Sequence, residues 1–284
     1  MNRFGAALQT NWDWRAAGNF IFGGTGSGLL VAAAITGPSI AIIPGLTALA
    51  LIGAGLALVW LEIGRPWRGF NVFFHPQTSW MTRESMAALV TLLLGAASLA
   101  LQNSMVMAGA GVAAFGFLYC QGRILQAARG IPAWREPAIV PLVVATGLVE
   151  GVSLYLVLAV ISGASAAGEA LAALLVLLAL RAAAWHRYRL KLAAAAAPRQ
   201  ALEALRSIGR GFLGVGNLLP AALLLTATLV PSARVPCAAL AGILAIWGGW
   251  QLKFHVITRA AQVQGYAIGK LRRGHPGTTP RQPG

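Results

Sequence analysis

Long apolar runs alternate with short polar stretches along almost the whole chain, and each run has about the length that a helix needs to cross a bilayer. Eight runs are long enough, at positions 17–36, 42–61, 84–101, 105–128, 137–162, 166–186, 211–230 and 235–256. The pattern predicts an all-α integral membrane protein with eight transmembrane helices in two four-helix bundles. We predict a membrane-anchor domain over 1–256 and a basic, largely disordered cytoplasmic tail over 257–284.

The composition agrees with a membrane protein and excludes a soluble one. Only 10% of the 284 residues are charged, and 57% are hydrophobic. A soluble domain averages about 25% charged residues, so this chain lacks the polar surface that a soluble fold needs.

The net charge of +15 suggests nucleic acid at first, but the basic residues are distributed as membrane topology requires. The connections after the first, third and fifth runs contain no Lys or Arg, and the one after the seventh contains only Arg234. The other basic residues belong to the opposite side, so the positive-inside rule places both termini in the cytoplasm. We expect a multi-pass protein of the inner membrane of a bacterium, with membrane lipid and no nucleic acid among its partners.

The stretch LEIGRPWRGFNVFFHPQTSWMTRES, residues 61–85, fits neither an ordinary loop nor a transmembrane helix. Arginines, two carboxylates (Glu62 and Glu84) and several aromatic side chains stand together where the membrane surface is expected. An interfacial aromatic belt with snorkelling arginines would explain the aromatics and the arginines, but not the two acids. Acids near membrane helix ends indicate a functional site.

Four motifs resemble the membrane-anchor subunits of the DMSO reductase and polysulfide reductase complexes. They are LEIGRPWRGFN (61–71), SWMTRE (79–84), DWRAAGNFIFGGTGSG (13–28) and ARGIPAW (128–134). The resemblance implies a quinone-reactive anchor without haem. It also implies two partners, an iron–sulfur electron-transfer subunit and a molybdopterin catalytic subunit, which hold the Fe–S clusters and the molybdopterin.

The resemblance also implies site residues. Glu62 stands where the DMSO reductase anchors have a histidine implicated in quinol binding, while Arg68 and Glu84 match an arginine and a glutamate of the family. Asp13 matches an acidic residue before the first span, and Tyr119 is a looser match to a tyrosine of span four. A carboxyl cannot act as a cationic donor, so we expect His75 or Arg68 to take that part of the histidine's role.

The chemistry of the residues is consistent with this expectation. Reduction of ubiquinone or menaquinone adds two electrons and two protons, so the site needs a donor toward the quinone oxygens and carboxyls that carry protons. The apolar ring needs aromatic walls. Candidates for those walls are Trp67, Phe70, Phe73, Phe74 and Trp80.

A further acid, Glu150, is predicted near the middle of the fifth span. It is either a protonated carboxyl bonded to a neighbouring helix or part of a proton relay, and the sequence leaves both open. In the FGGTGSG run, Gly24 and Gly28 are four residues apart, which predicts close approach of another helix.

The charge distribution predicts that the partner subunits dock on the cytoplasmic face, unlike those of the DMSO reductase anchors. A cytoplasmic coenzyme A thioester would then suit the catalytic subunit, as in phenylacetyl-CoA:acceptor oxidoreductases, whose anchors belong to the same superfamily. Two alternatives remain open: a transporter, and a passive tether without quinone chemistry.

Overall fold

The computed structural model describes residues 6–37, 41–62, 66–163 and 168–263, without the side chains of Pro66 and Arg68. Within these ranges, eight helices are long and apolar enough to cross a membrane, which confirms the predicted all-α multi-pass class. They are α1 (Trp14–Thr36), α2 (Ile42–Glu62), α3 (Trp80–Leu101), α4 (Ser104–Ala127), α5 (Ile139–Ile161), α6 (Gly168–Ala194), α7 (Arg199–Leu229) and α8 (Arg234–Thr258).

Helices α6 and α7 are longer than the apolar pattern predicts. The apolar runs end at 186 and begin again at 211, whereas α6 continues to Ala194 and α7 begins at Arg199. The added turns bury apolar side chains, since Tyr188 and Leu192 of α6 and Leu205 of α7 belong to one hydrophobic cluster with Trp185 and Phe212. As a result, Arg181 lies in the middle of α6 and not near its end.

The two ends of the described chain meet on one face. Strand β1 (Ala7–Leu8) pairs antiparallel with β2 (Gln262–Val263), and Ala260 and Ala261 before β2 are fully buried. Residues 257–263, which the sequence assigns to the tail, therefore pack against the helices, while 264–284 lie outside the described residues. We call this side, which also carries the start of α1 and the ends of α2 and α4, the terminal face.

Helix α1 is the most buried of the eight, because it packs against α2, α4 and α5. Its glycines permit this: a Cβ on Gly26 would lie 2.7 Å from the carbonyl oxygen of Ala48 in α2, and one on Gly28 would overlap the main chain of Gly147 in α5. The predicted role of Gly28 in close helix approach is confirmed. The other main contacts are α3 with α4, α5 with α6 and α8, and α7 with α8.

Candidate functional site

A cavity of about 250 Å³ opens near the terminal face between the ends of α1, α2, α3 and α4. Both predicted carboxylates, Glu62 and Glu84, are in its lining. The remaining lining residues are Asn11, Trp12, Ala16, Asn19, Phe20, Val59, Met81 and Ile124. Two acids that are 22 positions apart in the sequence are thus brought to one space.

Glu62 reaches the cavity because it is the last residue of α2 and stands beside the start of α1. Its carboxylate lies close to the main-chain N–H of Asp13 and to the Asp13 and Arg15 side chains. Asp13 itself caps α1 by accepting from the main-chain N–H of Arg15 at 2.8 Å, and it pairs with the Arg15 guanidinium. That side-chain hydrogen bond lowers the pKa of the Asp13 carboxyl. Asp13, predicted as a quinone-binding residue, therefore positions the helix start that Glu62 contacts.

Glu84 lies one turn into α3, where its side chain is 7% exposed. Nδ2 of Asn19 donates to its Oε1 at 3.3 Å, and the Gln121 amide of α4 lies close to the same carboxyl. Nε2 of Gln121 donates to the main-chain oxygen of Asn19 at 3.1 Å. The buried carboxyl therefore has two side-chain amides beside it, one of which bonds it directly. Neither Asn19 nor Gln121 is predicted as a site residue.

Asn19 occupies a special position in α1, because residues Asn19–Gly23 form a π-helical turn. Such turns shift main-chain groups out of the ordinary α-helical pairing and often occur at functional sites. Here the turn offers the Asn19 carbonyl to Gln121 and directs the Asn19 side chain to Glu84.

A second cavity of about 330 Å³ adjoins the first and has an aromatic wall. Asn19, Val59, Met81 and Glu84 line both cavities, so Glu84 stands between them. The second cavity adds Leu56, Trp60, Gly69, Phe70, Val72, Phe73 and Ser85. The predicted roles of Phe70 and Phe73 as walls are thus consistent with the structure.

The opposite wall of the first cavity comes from Trp12 and Phe20, which the sequence does not single out. Trp12 lies 4.9 Å from Trp134 and 5.9 Å from Phe20, measured between ring centroids. Trp134 is fixed in turn, since its Nε1 donates to the main-chain oxygen of Val256 at 2.8 Å. The ARGIPAW motif therefore supports the cavity from behind.

Several of the predicted residues lie outside both linings. Trp67 is 83% exposed, and His75 is also exposed and outside both linings. Trp80 and Tyr119 contact each other, and the guanidinium groups of Arg83 and Arg123 each lie 4.3 Å from the Trp80 ring centroid. Neither ring lines these two cavities, and the predicted part of Trp80 and Tyr119 in quinone binding stays a prediction.

Two further points concern the predicted walls and donors. Phe74 is 69% exposed and lines neither cavity. Arg68 belongs to the 3-10 helix Pro66–Phe73, but its side chain lies outside the described part of the structure, so its role stays a prediction. Among the described lining residues of the first cavity, the side chains that carry N–H groups are those of Asn11, Trp12 and Asn19, and none of them is cationic.

Glu150 lies at the middle of α5, fully buried, and has a partner that the sequence does not reveal. Nζ of Lys253 in α8 is 2.5 Å from its Oε2, and the hydroxyl of Thr25 donates to the same oxygen at 2.8 Å. Trp250 donates to the Thr25 hydroxyl at 3.0 Å. The structure thus turns a lone acid into a buried ion pair.

Arg181 lies next to this pair and is also fully buried. It donates to the side-chain oxygen of Asn217 at 3.0 Å, to the carbonyl of Ala245 at 2.9 Å and to the carbonyl of Gly216. Both Gly216 and Asn217 belong to a second π-helical turn, Gly214–Leu218, in α7.

The comparisons with known proteins were negative. No protein-family model matches the chain, and no curated protein matches it either. The cavity geometry and the four sequence motifs are therefore the observations that bear on function.

Proposed function

We propose that the chain is the quinone-reactive membrane-anchor subunit of a molybdopterin and iron–sulfur oxidoreductase complex. The observation that carries this proposal is the first cavity, in which Glu62 and Glu84 meet amide donors and aromatic walls near one membrane face. In this proposal the terminal face is cytoplasmic, as the basic residues favour, and the iron–sulfur subunit docks there. We also propose that the eight helices are arranged in two four-helix bundles.

The cavities suit a quinone in shape and chemistry. The first is flanked by Trp12 and Phe20 and the second by Phe70 and Phe73, which provides apolar surfaces for a ring and the start of an isoprenoid tail. The side-chain oxygen of Asn19 has no hydrogen-bond partner among the described residues, although it is buried beside Glu84. A buried polar atom without a partner costs about 1–3 kcal/mol, so a ligand or water that donates to it is favoured.

When bound, a quinone accepts two electrons and two protons. Glu84, buried between the cavities, holds one proton next to the quinone oxygen, and Glu62 at the rim holds the second. The amide N–H groups of Asn19 orient the Glu84 carboxyl, so that its proton points to the bound ring. Trp12 and the aromatic walls exclude water from the ring.

The experiment uses the intact complex, purified through a tag on this chain together with its partner subunits. We expect Glu84→Gln and Glu62→Gln to lower quinone reduction by about 100-fold, the lower end for loss of a general acid, while the iron–sulfur clusters are still reduced. Glu203→Gln, an exposed acid of α7, is the matched control and should have no effect. Arg68→Ala tests the sequence-based role of that residue.

The same series separates the alternatives. Unchanged quinone reduction in both acid variants, with assembly preserved, would favour a passive tether. Substrate uptake by liposomes that contain the chain alone would favour a transporter.

A further inference from the structure

A row of buried polar side chains runs from the first cavity to the middle of the membrane domain. Its inner members, Gln121, Lys253 and Glu150, have no part in the quinone chemistry proposed above. We propose that Lys253, held by the Glu150 carboxylate, supplies protons to Glu84 through Gln121 and Asn19. This inference rests on the proposed function, because it assigns the source of the protons that Glu84 donates.

The first step of the row is the amide cluster at Glu84. Asn19 bonds the carboxyl directly, and Gln121 contacts both the carboxyl and the main chain of Asn19. Gln121 is fully buried on α4, so its amide reaches from the cavity toward the interior. Its Oε1 has no hydrogen-bond partner among the described residues.

The second step crosses from Gln121 to Lys253 beside the paired glycines of α1. A methyl group on Gly24 would lie 3.2 Å from Oε1 of Gln121 and would overlap Nζ of Lys253. One on Gly23 would lie 2.8 Å from Nε2 of Gln121. The two side chains therefore face one small space, which exists because these positions lack side chains.

The third step is the ion pair itself. Nζ of Lys253 contacts Oε2 of Glu150, while Oε1 of the same carboxyl has no partner among the described residues. Ser153 lies one turn further along α5, and its buried hydroxyl is also without a partner there. Arg181 adds a second positive charge near Glu150.

The buried polar atoms without hydrogen-bond partners in this region point to bound water. Oδ1 of Asn19, Oε1 of Gln121 and Oε1 of Glu150 are buried acceptors without a partner among the described residues, and the buried Ser153 hydroxyl is also without one. Asn19 is linked to Gln121 by a hydrogen bond, Gln121 faces Lys253 beside Gly24, and Lys253 contacts Glu150. Buried water typically bonds such groups, and a chain of water and side chains carries protons. Intramembrane ionisable residues that pair with one another are typical of proton relays.

Each transfer moves one proton. Glu84 gives its proton to the quinone oxygen, and its carboxylate takes a proton that bridging water carries from the Lys253 ammonium. The neutral Lys253 amine then takes a hydrogen ion that comes from the aqueous medium and is carried past Ser153 and Glu150 by water, which restores the ion pair with the Glu150 carboxylate. The electrons come from the docked iron–sulfur subunit, so no further reductant is needed.

The test uses Gly24→Ala, which fills the space between Gln121 and Lys253. Gly116→Ala in α4 is the matched control, because a Cβ there would have no neighbour within 4 Å. A second variant, Glu150→Gln with Lys253→Met, removes both charges and leaves no unpaired ion. We expect at least about a tenfold fall in quinone reduction in Gly24→Ala and in the double variant, with quinone binding retained and Gly116→Ala unchanged.

A spectroscopic readout separates proton transfer from a structural effect. Infrared difference spectra between oxidised and reduced complex should contain a carboxyl signal that disappears in Glu84→Gln and is delayed in Gly24→Ala. Normal rates in Gly24→Ala and in the double variant, with Glu84→Gln inactive, would overturn the route and leave the proposed function intact. A rate loss that matches a loss of quinone binding also counts against the route. An active Glu84→Gln variant would overturn the proposed function together with the route.

Discussion

The buried ion pair between Glu150 and Lys253 allows a quantitative prediction about stability. Lys253→Met leaves the Glu150 carboxyl without its cation in a fully buried position. Breaking a buried pair in this way costs about 3–5 kcal/mol. The Glu150 carboxyl can avoid that cost by binding a proton. The free energy of this protonation therefore determines how much stability the variant loses.

The reference pKa of a glutamic acid side chain is about 4.3. Keeping the carboxyl protonated at a higher pH costs about 1.4 kcal/mol of free energy for each pH unit above this value. At pH 7 the requirement is about 3–4 kcal/mol, similar to the cost of the broken pair. The folded variant then holds one proton more than its unfolded chain, so its stability falls as the pH rises. We therefore expect Lys253→Met to lose about 1.4 kcal/mol of stability relative to wild type for each unit between pH 5 and pH 7.

The assay is unfolding by SDS titration in mixed micelles, followed by tryptophan fluorescence at several pH values. The double variant Glu150→Gln with Lys253→Met is the control, since a neutral pair takes up no proton and should show the wild-type pH dependence. If Lys253→Met loses less than about 1 kcal/mol and has the pH dependence of wild type, the two side chains do not form a buried ion pair.

The sequence predicts the two acids of the cavity but not what holds them. Glu62 and Glu84 are conspicuous because acids are rare in such an apolar chain. Asn19 and Gln121 are neutral amides, and their importance arises from the π-helical turn in α1 and from the crossing of α1 with α4. Composition and hydropathy cannot reveal a contact between positions that are 102 residues apart.

The sequence also misplaces two cations, and for one physical reason. Hydropathy ends the sixth span near 186 and the eighth near 256, so Arg181 and Lys253 resemble interfacial anchors. In the structure α6 extends to Ala194, and α8 to Thr258 followed by a buried strand. Past both predicted ends the chain buries residues in one hydrophobic cluster, Tyr188 and Leu192 in α6 and Ile257, Ala260 and Ala261 at and after the end of α8. This is a tertiary effect that a single sequence does not encode locally.

Three further predictions follow from the fold. Asp13→Ala removes the cap of α1 and should destabilise the protein by about 1 kcal/mol in SDS unfolding. The hydrogen bond with Arg15 lowers the pKa of Asp13, so the stability that this pair contributes is present near neutral pH and is lost as the pH falls through that lowered value. Gly151→Ala should reduce folded yield strongly, because its Cβ would overlap the main chain of Gly28, whereas Gly53→Ala, which meets no neighbour within 4 Å, should not. A fluorescent protein fused to the C-terminus should fluoresce, and an alkaline phosphatase fused there should be inactive, because the terminal face is proposed to be cytoplasmic. The opposite result would reverse the proposed docking side.

The two π-helical turns explain how charged and polar groups are tolerated inside the helices. Each turn contains an asparagine, Asn19 in α1 and Asn217 in α7, and each offers main-chain carbonyls to a buried donor. Gln121 bonds the carbonyl of Asn19, and Arg181 bonds that of Gly216. In a bilayer, water is not available to satisfy donors, so they must be satisfied by the protein. The widened turns and the buried polar side chains therefore depend on one another. This interdependence favours a role for the polar row beyond packing, because an apolar interior would need neither the turns nor the charges.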